Sequence, residues 1–189
     1  MSSEVLVDKH KLKNPPLNIH VLGDRVLRQT AKRISKVDNE TRELARQMLQ
    51  TMYSADGIGL AAPQVAMAKQ LIVVDTDPEE AANQPIILIN PKIRRHSADL
   101  ALGQEGCLSI PGVYLDVRRP EQIEVAYKDE QGRPQVIVAT DLLSRVIQHE
   151  MDHLTGVMFV DRVENSLLLN QELTKQGFAK RAVKPIAST

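Results

Sequence analysis

Two histidines one helical turn apart are the residues of this sequence whose types and spacing point most directly to chemistry. They open and close the segment His149-Glu150-Met151-Asp152-His153, an H-E-x-x-H pattern. Residues i and i+4 of a helix share one face, so both imidazoles can reach one metal ion while Glu150 handles the proton of an attacking water. The pattern predicts a catalytic metal site. The alternative is a chance match in which both histidines are only hydrogen-bonded.

A catalytic site of this kind needs a third protein ligand. In the common zinc peptidases the third ligand is a histidine six residues after the second one, or a glutamate farther downstream. Here Gly156 keeps the glycine of that longer pattern, but Phe159 stands at the histidine position and cannot bind a metal. Glu164 and Glu172 remain candidates.

The single cysteine of the chain offers a different third ligand. Cys107 lies in the segment EGCLS, residues 105–109. A thiolate and two imidazoles would give a three-ligand tetrahedral site with its fourth position left for water, which is the open arrangement that catalysis requires. Outside such a context, a lone cysteine is more often a small buried apolar residue.

A third segment, GIGLAAPQ at residues 57–64, is small, glycine-rich and uncharged. We expect a loop that leads into the strand at 70–75. Its glycines would let a substrate backbone approach closely, an extended peptide could pair with the exposed edge, and Gln64 would offer an amide N–H. The alternative is a flexible glycine turn before a strand.

Taken together, the segments GIGLAAPQ, EGCLS and HEMDH resemble the three signature motifs of peptide deformylases, and they occur in the same order. The resemblance covers roughly residues 17–163. It implies a metal-dependent hydrolase that removes the N-formyl group from the N-terminal formyl-methionine of newly made polypeptides and releases formate.

The resemblance also implies roles for individual residues. Cys107, His149 and His153 would bind the metal, and Glu150 would be the general acid/base that takes a proton from water and passes it to the departing α-amine. The metal of the family is usually Fe²⁺, with Zn²⁺, Ni²⁺ or Co²⁺ able to replace it. The ligand types alone favour zinc.

The resemblance also implies that the Gln64 side-chain amide and the Leu108 backbone N–H stabilise the oxyanion that forms on the formyl carbonyl. Leu142 and Val146 share the helix face of His149, and with Ile58 they would form a pocket for the methionine side chain. Plain core packing is the alternative for these three.

The remaining substrate-binding positions are expected at Gly59, Gly106 and Tyr114. Many bacterial deformylases carry an arginine where this chain has Tyr114. An aromatic side chain there replaces a charged contact with the substrate backbone by stacking or a hydroxyl hydrogen bond. The sequence therefore does not define the preference beyond the first residue of the substrate.

The elements that must position these residues follow from periodicity and turn signals. They predict an α+β fold with mixed or antiparallel sheets packed around a central metal-binding helix, an N-terminal helix and a C-terminal helix. Helices are expected at 38–54, 140–153 and from 165 to about 180, and strands at 70–75, 85–90, 113–118, 122–128 and 134–139, the last two joined by a turn at 129–132.

The length of 189 residues suits one domain covering 1–189, with an irregular arm at 1–16 and a C-terminal helix and tail at 164–189. Lys+Arg and Asp+Glu both number 24, so no global field would attract a membrane or nucleic acid. We expect a monomer that acts on nascent formyl-Met polypeptides. We expect neither membrane association nor direct sequence-specific binding of nucleic acid.

A single cysteine and no secretion signal favour the cytoplasm of a bacterium, although a processed organelle protein would look similar. In some relatives a C-terminal helix contacts the ribosome. A cluster of basic residues near the C-terminus could do so here, with a solvated helix end as the alternative: Lys175, Lys180, Arg181 and Lys184.

Three competing hypotheses remain. The first is an H-E-x-x-H zinc endopeptidase that uses Glu164 or Glu172 as its third ligand. The second is a non-catalytic domain stabilised by a structural metal, which would normally have four protein ligands. The third is a metal-free hydrolase with a Cys–His nucleophile.

Overall fold

The computed structural model describes residues 7–80 and 82–186. This part of the chain contains two antiparallel sheets and three α-helices. The helices are α1 (Asn39–Ser54), α2 (Asp141–His153) and α3 (Ser166–Lys175). The strands are β1 (Gly59–Ala61), β2 (Leu71–Val74), β3 (Ile86–His96), β4 (Leu100–Cys107), β5 (Ile110–Pro120), β6 (Gln122–Lys128) and β7 (Pro134–Thr140). The predicted α+β class is confirmed.

Helix α1 begins where the sequence predicts it. The side chain of Asp38 accepts a hydrogen bond from the backbone N–H of Thr41 at 2.9 Å, which satisfies one of the free donors at the start of a helix. Its apolar face, including Leu44, Met48 and Met52, is buried against β1 and β2. The helix ends at Ser54, and two residues separate it from the glycine-rich segment 57–64.

The larger sheet has the strand order β1-β2-β3-β6-β7. All four residues of β2 are buried, because the strand is covered on both faces. Leu71 and Val73 belong to the core cluster around α1, whereas Ile72 and Val74 belong to the cluster that contains Val146 of α2. Helix α2 is therefore packed on the face of the sheet opposite α1.

Strands β4 and β5 form a separate two-stranded sheet, and the EGCLS segment lies at their turn. Cys107 pairs with Ile110, and apolar residues of β5 pack with Phe159 in a third core cluster. Strand β5 is longer than predicted. Strand β4 was not predicted, because its glycines and polar residues weaken the alternation that marks a strand.

Two further predictions are wrong in detail. The segment 57–64 is not a simple loop, since Gly59–Ala61 forms β1, paired with β2, and Ala62–Val65 forms a 3₁₀ turn. The last helix ends at Lys175 rather than near Lys180. Gly177 has a φ of +79°, and a left-handed glycine just after a helix is a common stop.

Residues 7–16 form neither helix nor strand, as expected for the arm 1–16, whose first six residues lie outside the described ones. Residues 187–189 of the predicted tail also lie outside them. Among the helices described, none has the length and apolar character needed to cross a membrane.

Candidate active site

Cys107, His149 and His153 come together at the end of β4 and the last turns of α2. One ligand atom from each lies within 4.8 Å of the other two, and Cys107 Sγ is 3.4 Å from His153 Nε2. Tetrahedral coordination with metal–sulfur distances of about 2.3 Å and metal–nitrogen distances of about 2.0–2.1 Å implies ligand atoms about 3.4–3.6 Å apart. The Cys107–His153 distance matches this spacing, and the 4.8 Å limit leaves all three side chains close enough to share one metal ion.

Helix α2 presents both histidines on its buried face, with ring centroids 5.1 Å apart. Phe159 stacks on the ring of His149, with a centroid separation of 5.8 Å and an interplanar angle of 26°. The residue that stands where zinc peptidases have their third histidine thus packs on the first histidine instead. Glu164 and Glu172 lie elsewhere, in ion pairs with Arg118 and Lys175 respectively.

Glu105 orients His149. Its Oε2 lies 2.9 Å from His149 Nδ1, and both of its oxygens also accept hydrogen bonds from Arg119. Burial alone would raise the pKa of Glu105, but the bonds from Arg119 and His149 outweigh burial and hold that pKa well below its usual value. An ionised Glu105 fixes the proton of His149 on Nδ1 and leaves Nε2 free to bind a metal.

The network continues through Arg119 to Asp152. Its carboxylate accepts hydrogen bonds from Arg119 Nη1 at 2.9 Å and from Arg162 at 2.6 and 2.7 Å. Asp152 is therefore buried rather than solvent-exposed, and it holds the same arginine, Arg119, that holds Glu105. Glu105 stands beside Cys107 in the motif and could have been identified, whereas no local pattern in the sequence marks Arg119 or Arg162.

Glu150 is buried beside the two histidines. Its Oε2 has no hydrogen-bond partner within residues 7–80 and 82–186. Burial raises the pKa of Glu150 to about 7, partly offset by the neighbouring His149. A carboxyl group with such a pKa can accept and release a proton near neutral pH.

The two histidines differ in their preference for a proton. Burial lowers the pKa of His153 well below its ordinary value, so its imidazole is neutral. Burial acts in the same direction on His149, but hydrogen bonds with Cys107 and Glu105 raise the pKa of His149 well above its ordinary value. A metal ion bound to Nε2 would displace that extra proton, because only the unprotonated nitrogen can be a ligand.

Gln64 points its amide toward the cysteine. Its Oε1 accepts the backbone N–H of Ala61 at 2.8 Å, and its Nε2 donates to Ser109 Oγ at 3.1 Å and lies 3.5 Å from Cys107 Sγ. The fixed oxygen identifies which end of the amide faces the site. The NH₂ group therefore borders the space next to the candidate metal ligands.

A cleft of about 580 Å³ opens in front of these groups. The predicted pocket residues Ile58, Leu142 and Val146 all line it, and so does Leu108. Val146 is buried, but Leu142 is half exposed, so the wall is open on that side.

The other expected substrate-binding residues, Gly59, Gly106 and Tyr114, also line this cleft. The two glycines leave space that a side chain would fill. A Cβ atom at Gly59 would collide with the carboxylate of Glu150, and one at Gly106 would come within 2.5 Å of the ring of Tyr114. Tyr114 lies over the Gly106 backbone with 60% of its surface exposed. These glycines therefore allow the two side chains to approach the wall of the cleft.

Comparison with known proteins gives a consistent result. The family model described as polypeptide deformylase matches residues 16–167. Peptide deformylase 1 of Nostoc is 70% identical over 187 residues, which are 99% of this chain and 100% of the relative. The peptide deformylase of Thermosynechococcus vestitus is 64% identical over the whole of both chains.

Solved structures agree. The crystal structure of a peptide deformylase from Synechococcus elongatus in complex with actinonin has a TM-score of 0.94 and 67% sequence identity. The match covers 95% of this chain and 98% of the Synechococcus elongatus chain. A plant peptide deformylase has a TM-score of 0.80 and 38% identity, with 88% of this chain and 90% of the plant chain covered.

Proposed function

The chain belongs to the peptide deformylase family, and on that premise we propose that Cys107, His149 and His153 hold its catalytic metal ion and that Glu150 is its general acid/base. The chain is a metal-dependent hydrolase that removes the N-formyl group from nascent polypeptides. The observation that carries the residue assignment is the convergence of one thiol, two imidazoles and a buried carboxyl group at one cleft. The endopeptidase and the non-catalytic domain are not favoured.

The proposed metal is Fe²⁺, with Zn²⁺, Ni²⁺ or Co²⁺ as substitutes. A thiolate and two imidazoles suit any of these ions, and three protein ligands leave room for water and substrate. When bound, the ion supplies a Lewis acid that polarises the formyl carbonyl and makes water more acidic. If iron is native, oxidation of the iron or of Cys107 removes activity, so the enzyme is expected to be sensitive to oxygen.

Glu150 moves the proton. Because its Oε2 is buried and without a partner among the described residues, this oxygen is free to receive a proton from the attacking water. The same carboxyl group then gives the proton to the departing α-amine. Its raised pKa suits both steps, since neither the protonated nor the ionised form is strongly favoured near neutral pH.

Gln64 and Leu108 stabilise the negative charge on the formyl oxygen. The Gln64 NH₂ group is held toward the cleft by the bond from Ala61 N–H to the amide oxygen. Leu108, whose backbone N–H is the second proposed donor, follows Cys107 directly and lines the same cleft. A donor held in place before the reaction costs no reorganisation as charge develops.

The substrate is an extended polypeptide that begins with formyl-methionine. Ile58, Leu142 and Val146 receive the unbranched methionine side chain, and the peptide backbone passes between Gly59 and Gly106. Tyr114 lies over Gly106 at the mouth of the cleft, where its exposed ring can stack on later residues of the substrate.

We also infer that the enzyme is a monomer of the bacterial cytoplasm, or of an organelle after processing, folded as one domain over residues 1–189. The basic residues of the C-terminal region remain candidates for a ribosome contact. Lys175 is on α3, while Lys180 and Arg181 lie in the following 3₁₀ turn, so they do not form one continuous helical face.

The test of this proposal is anaerobic purification with metal analysis, followed by measurement of formate released from formyl-Met peptides. About one metal ion per chain and formate release are expected. The matched variant Cys107→Ser keeps the size of the side chain but removes the thiolate. Metal and activity retained by this variant, or metal bound without formate release by the unchanged protein, would overturn the assignment.

A further inference from the structure

Arg145 forms several hydrogen bonds with the small sheet of β4 and β5 that the removal of the formyl group does not itself use. It stands on α2, one turn before His149, and lines the cleft. Its Nη1 donates to Glu105 Oε1 and to Val117 O, both at 2.8 Å, and lies 3.3 Å from Gly103 O. Its Nη2 donates to Ala101 O at 2.8 Å. One side chain thus joins α2 to both strands of the small sheet.

Gly103 provides the space that this arrangement needs. A Cβ atom at position 103 would lie 2.9 Å from both Cζ and Nη2 of Arg145, closer than real Cβ contacts. A flexible side chain could usually move away at little cost. Here the guanidinium is held by acceptors from Ala101, Glu105 and Val117, so moving it would break those bonds.

Glu105 is the point at which this network meets the metal ligands. Each of its two oxygens accepts two N–H groups. Oε1 accepts Arg145 and Arg119, and Oε2 accepts His149 and Arg119. Arg119 lies on β5, in the same small sheet as Glu105, whereas Arg145 comes from the helix that carries both histidines. Arg145 therefore ties Glu105 and the β4 backbone to the helix of the histidines.

The ligand set itself is divided between these two elements. Cys107 is the last residue of β4, two residues after Glu105, and the histidines are on α2. A shift of β4 along α2 would change the separation of the thiol from the imidazoles. We propose that Arg145, accommodated by Gly103, is a positioning residue that holds β4 on α2 so that Cys107 and the two histidines meet at one ion.

This inference rests on the proposed function, and cobalt gives a readout independent of catalysis. The thiolate-to-cobalt charge-transfer band and the d–d bands of Co²⁺ report the geometry of its ligands, and transfer of Co²⁺ to a chelator reports how firmly it is held. The variants are Arg145→Met, which keeps the apolar stem, Arg145→Lys, which keeps one charge, and Gly103→Ala, which retains Arg145 but displaces its guanidinium.

The matched control is Arg118→Met. Arg118 lies on β5 next to Arg119, but its side chain is exposed and pairs with Glu164. Loss of this exposed pair should change little. The control therefore removes an arginine from the same sheet without touching Glu105 or the cleft.

We expect Arg145→Met and Gly103→Ala to release Co²⁺ about 10- to 100-fold faster, as for other groups that orient metal ligands, with altered d–d bands. The kcat for formate release should fall more than KM changes, and Arg145→Lys should restore part of both. Arg118→Met should behave as the unchanged protein. Folded Arg145→Met or Gly103→Ala with unchanged Co²⁺ spectrum, release rate and kcat would overturn the proposal.

If Arg145→Met does not fold, the Co²⁺ spectrum, the Co²⁺ release rate and kcat of Gly103→Ala test the proposal. Failure of the unchanged protein to release formate would refute the proposed function, but the cobalt spectra would still test the positioning role. The two failures are therefore distinguishable.

Discussion

The Nδ1 atom of His149 lies 2.9 Å from Oε2 of Glu105, the residue two positions before Cys107. One short segment therefore carries both a candidate metal ligand and the group that orients another. Because Glu105 also binds Arg119 in the interior, this segment supports the fold as well as the site.

Replacing Glu105 by Gln should weaken both stability and metal binding. The change removes the negative charge opposite Arg119, and loss of one partner of a buried ion pair typically costs about 3–5 kcal/mol. Urea unfolding of the metal-free protein would measure the loss. Glu164→Gln is the control, since its pair with Arg118 is exposed. Equal stability of the two variants would show that the buried network contributes little.

Replacing Glu150 by Gln should abolish proton transfer while leaving the metal in place. Gln has nearly the same shape but cannot take a proton, and loss of a general acid/base typically lowers the rate by about 10²–10⁴-fold. The measurement is kcat for formate release together with metal content. A variant with full metal content and full kcat would contradict the role of Glu150.

Replacing Gln64 by Leu should remove one donor to the oxyanion. The expected fall in kcat is about 10²–10³-fold, with a smaller change in KM, because the contact strengthens in the transition state. Ser109→Ala serves as a control, since it removes the other partner of the Gln64 NH₂ group but leaves the amide. If kcat were unchanged in Gln64→Leu, the oxyanion would have to be stabilised by other groups.

The H-E-x-x-H helix could be predicted from sequence because its information is local. Residues four apart on a helix face the same way, and the turn at Gly156 lies just beyond the helix end. The same holds for α1, whose cap and apolar face lie within one continuous segment.

The arginines that hold the site could not be predicted. Arg119 and Glu105 are 14 residues apart, on paired strands, and Arg145 reaches back 40 residues to the same carboxylate. Such pairs depend on strand register and on the packing of α2 against the small sheet, and neither leaves a periodic pattern in the chain. The glycines that weakened the strand signal in β4 include Gly103, whose missing side chain accommodates Arg145.

The free energy of unfolding should fall at acid pH, in part because Asp75 is paired with Lys9 of the N-terminal arm. Lys9 Nζ lies 2.8 Å from Asp75 Oδ2, and Tyr53 donates to the same oxygen. Burial would raise the pKa of Asp75, but these hydrogen bonds outweigh it and lower the pKa. The ionised carboxylate therefore contributes stability above the pKa of an unfolded aspartate, about 3.9, and that stability is lost as pH falls through the lower folded-state pKa.

Lys9→Met should remove part of this effect. We expect a loss of about 1.5–3 kcal/mol at neutral pH, as for a hydrogen bond to a charged group, and a smaller further loss between neutral pH and pH 3. Unfolding curves across this pH range would measure it. Lys11→Met is the control, because Lys11 pairs with the exposed Asp56. Identical pH profiles for the two variants would contradict the role of the Lys9–Asp75 pair.

X-ray absorption at the metal edge of anaerobically purified enzyme tests the proposed ligand set most directly. We expect one sulfur scatterer at about 2.3 Å and two imidazole nitrogens at a shorter distance, about 2.0–2.1 Å for zinc, with the remaining coordination from light atoms. The sulfur shell should disappear in Cys107→Ser. A spectrum of the unchanged enzyme with nitrogen and oxygen scatterers alone would contradict the assignment of Cys107 as a metal ligand.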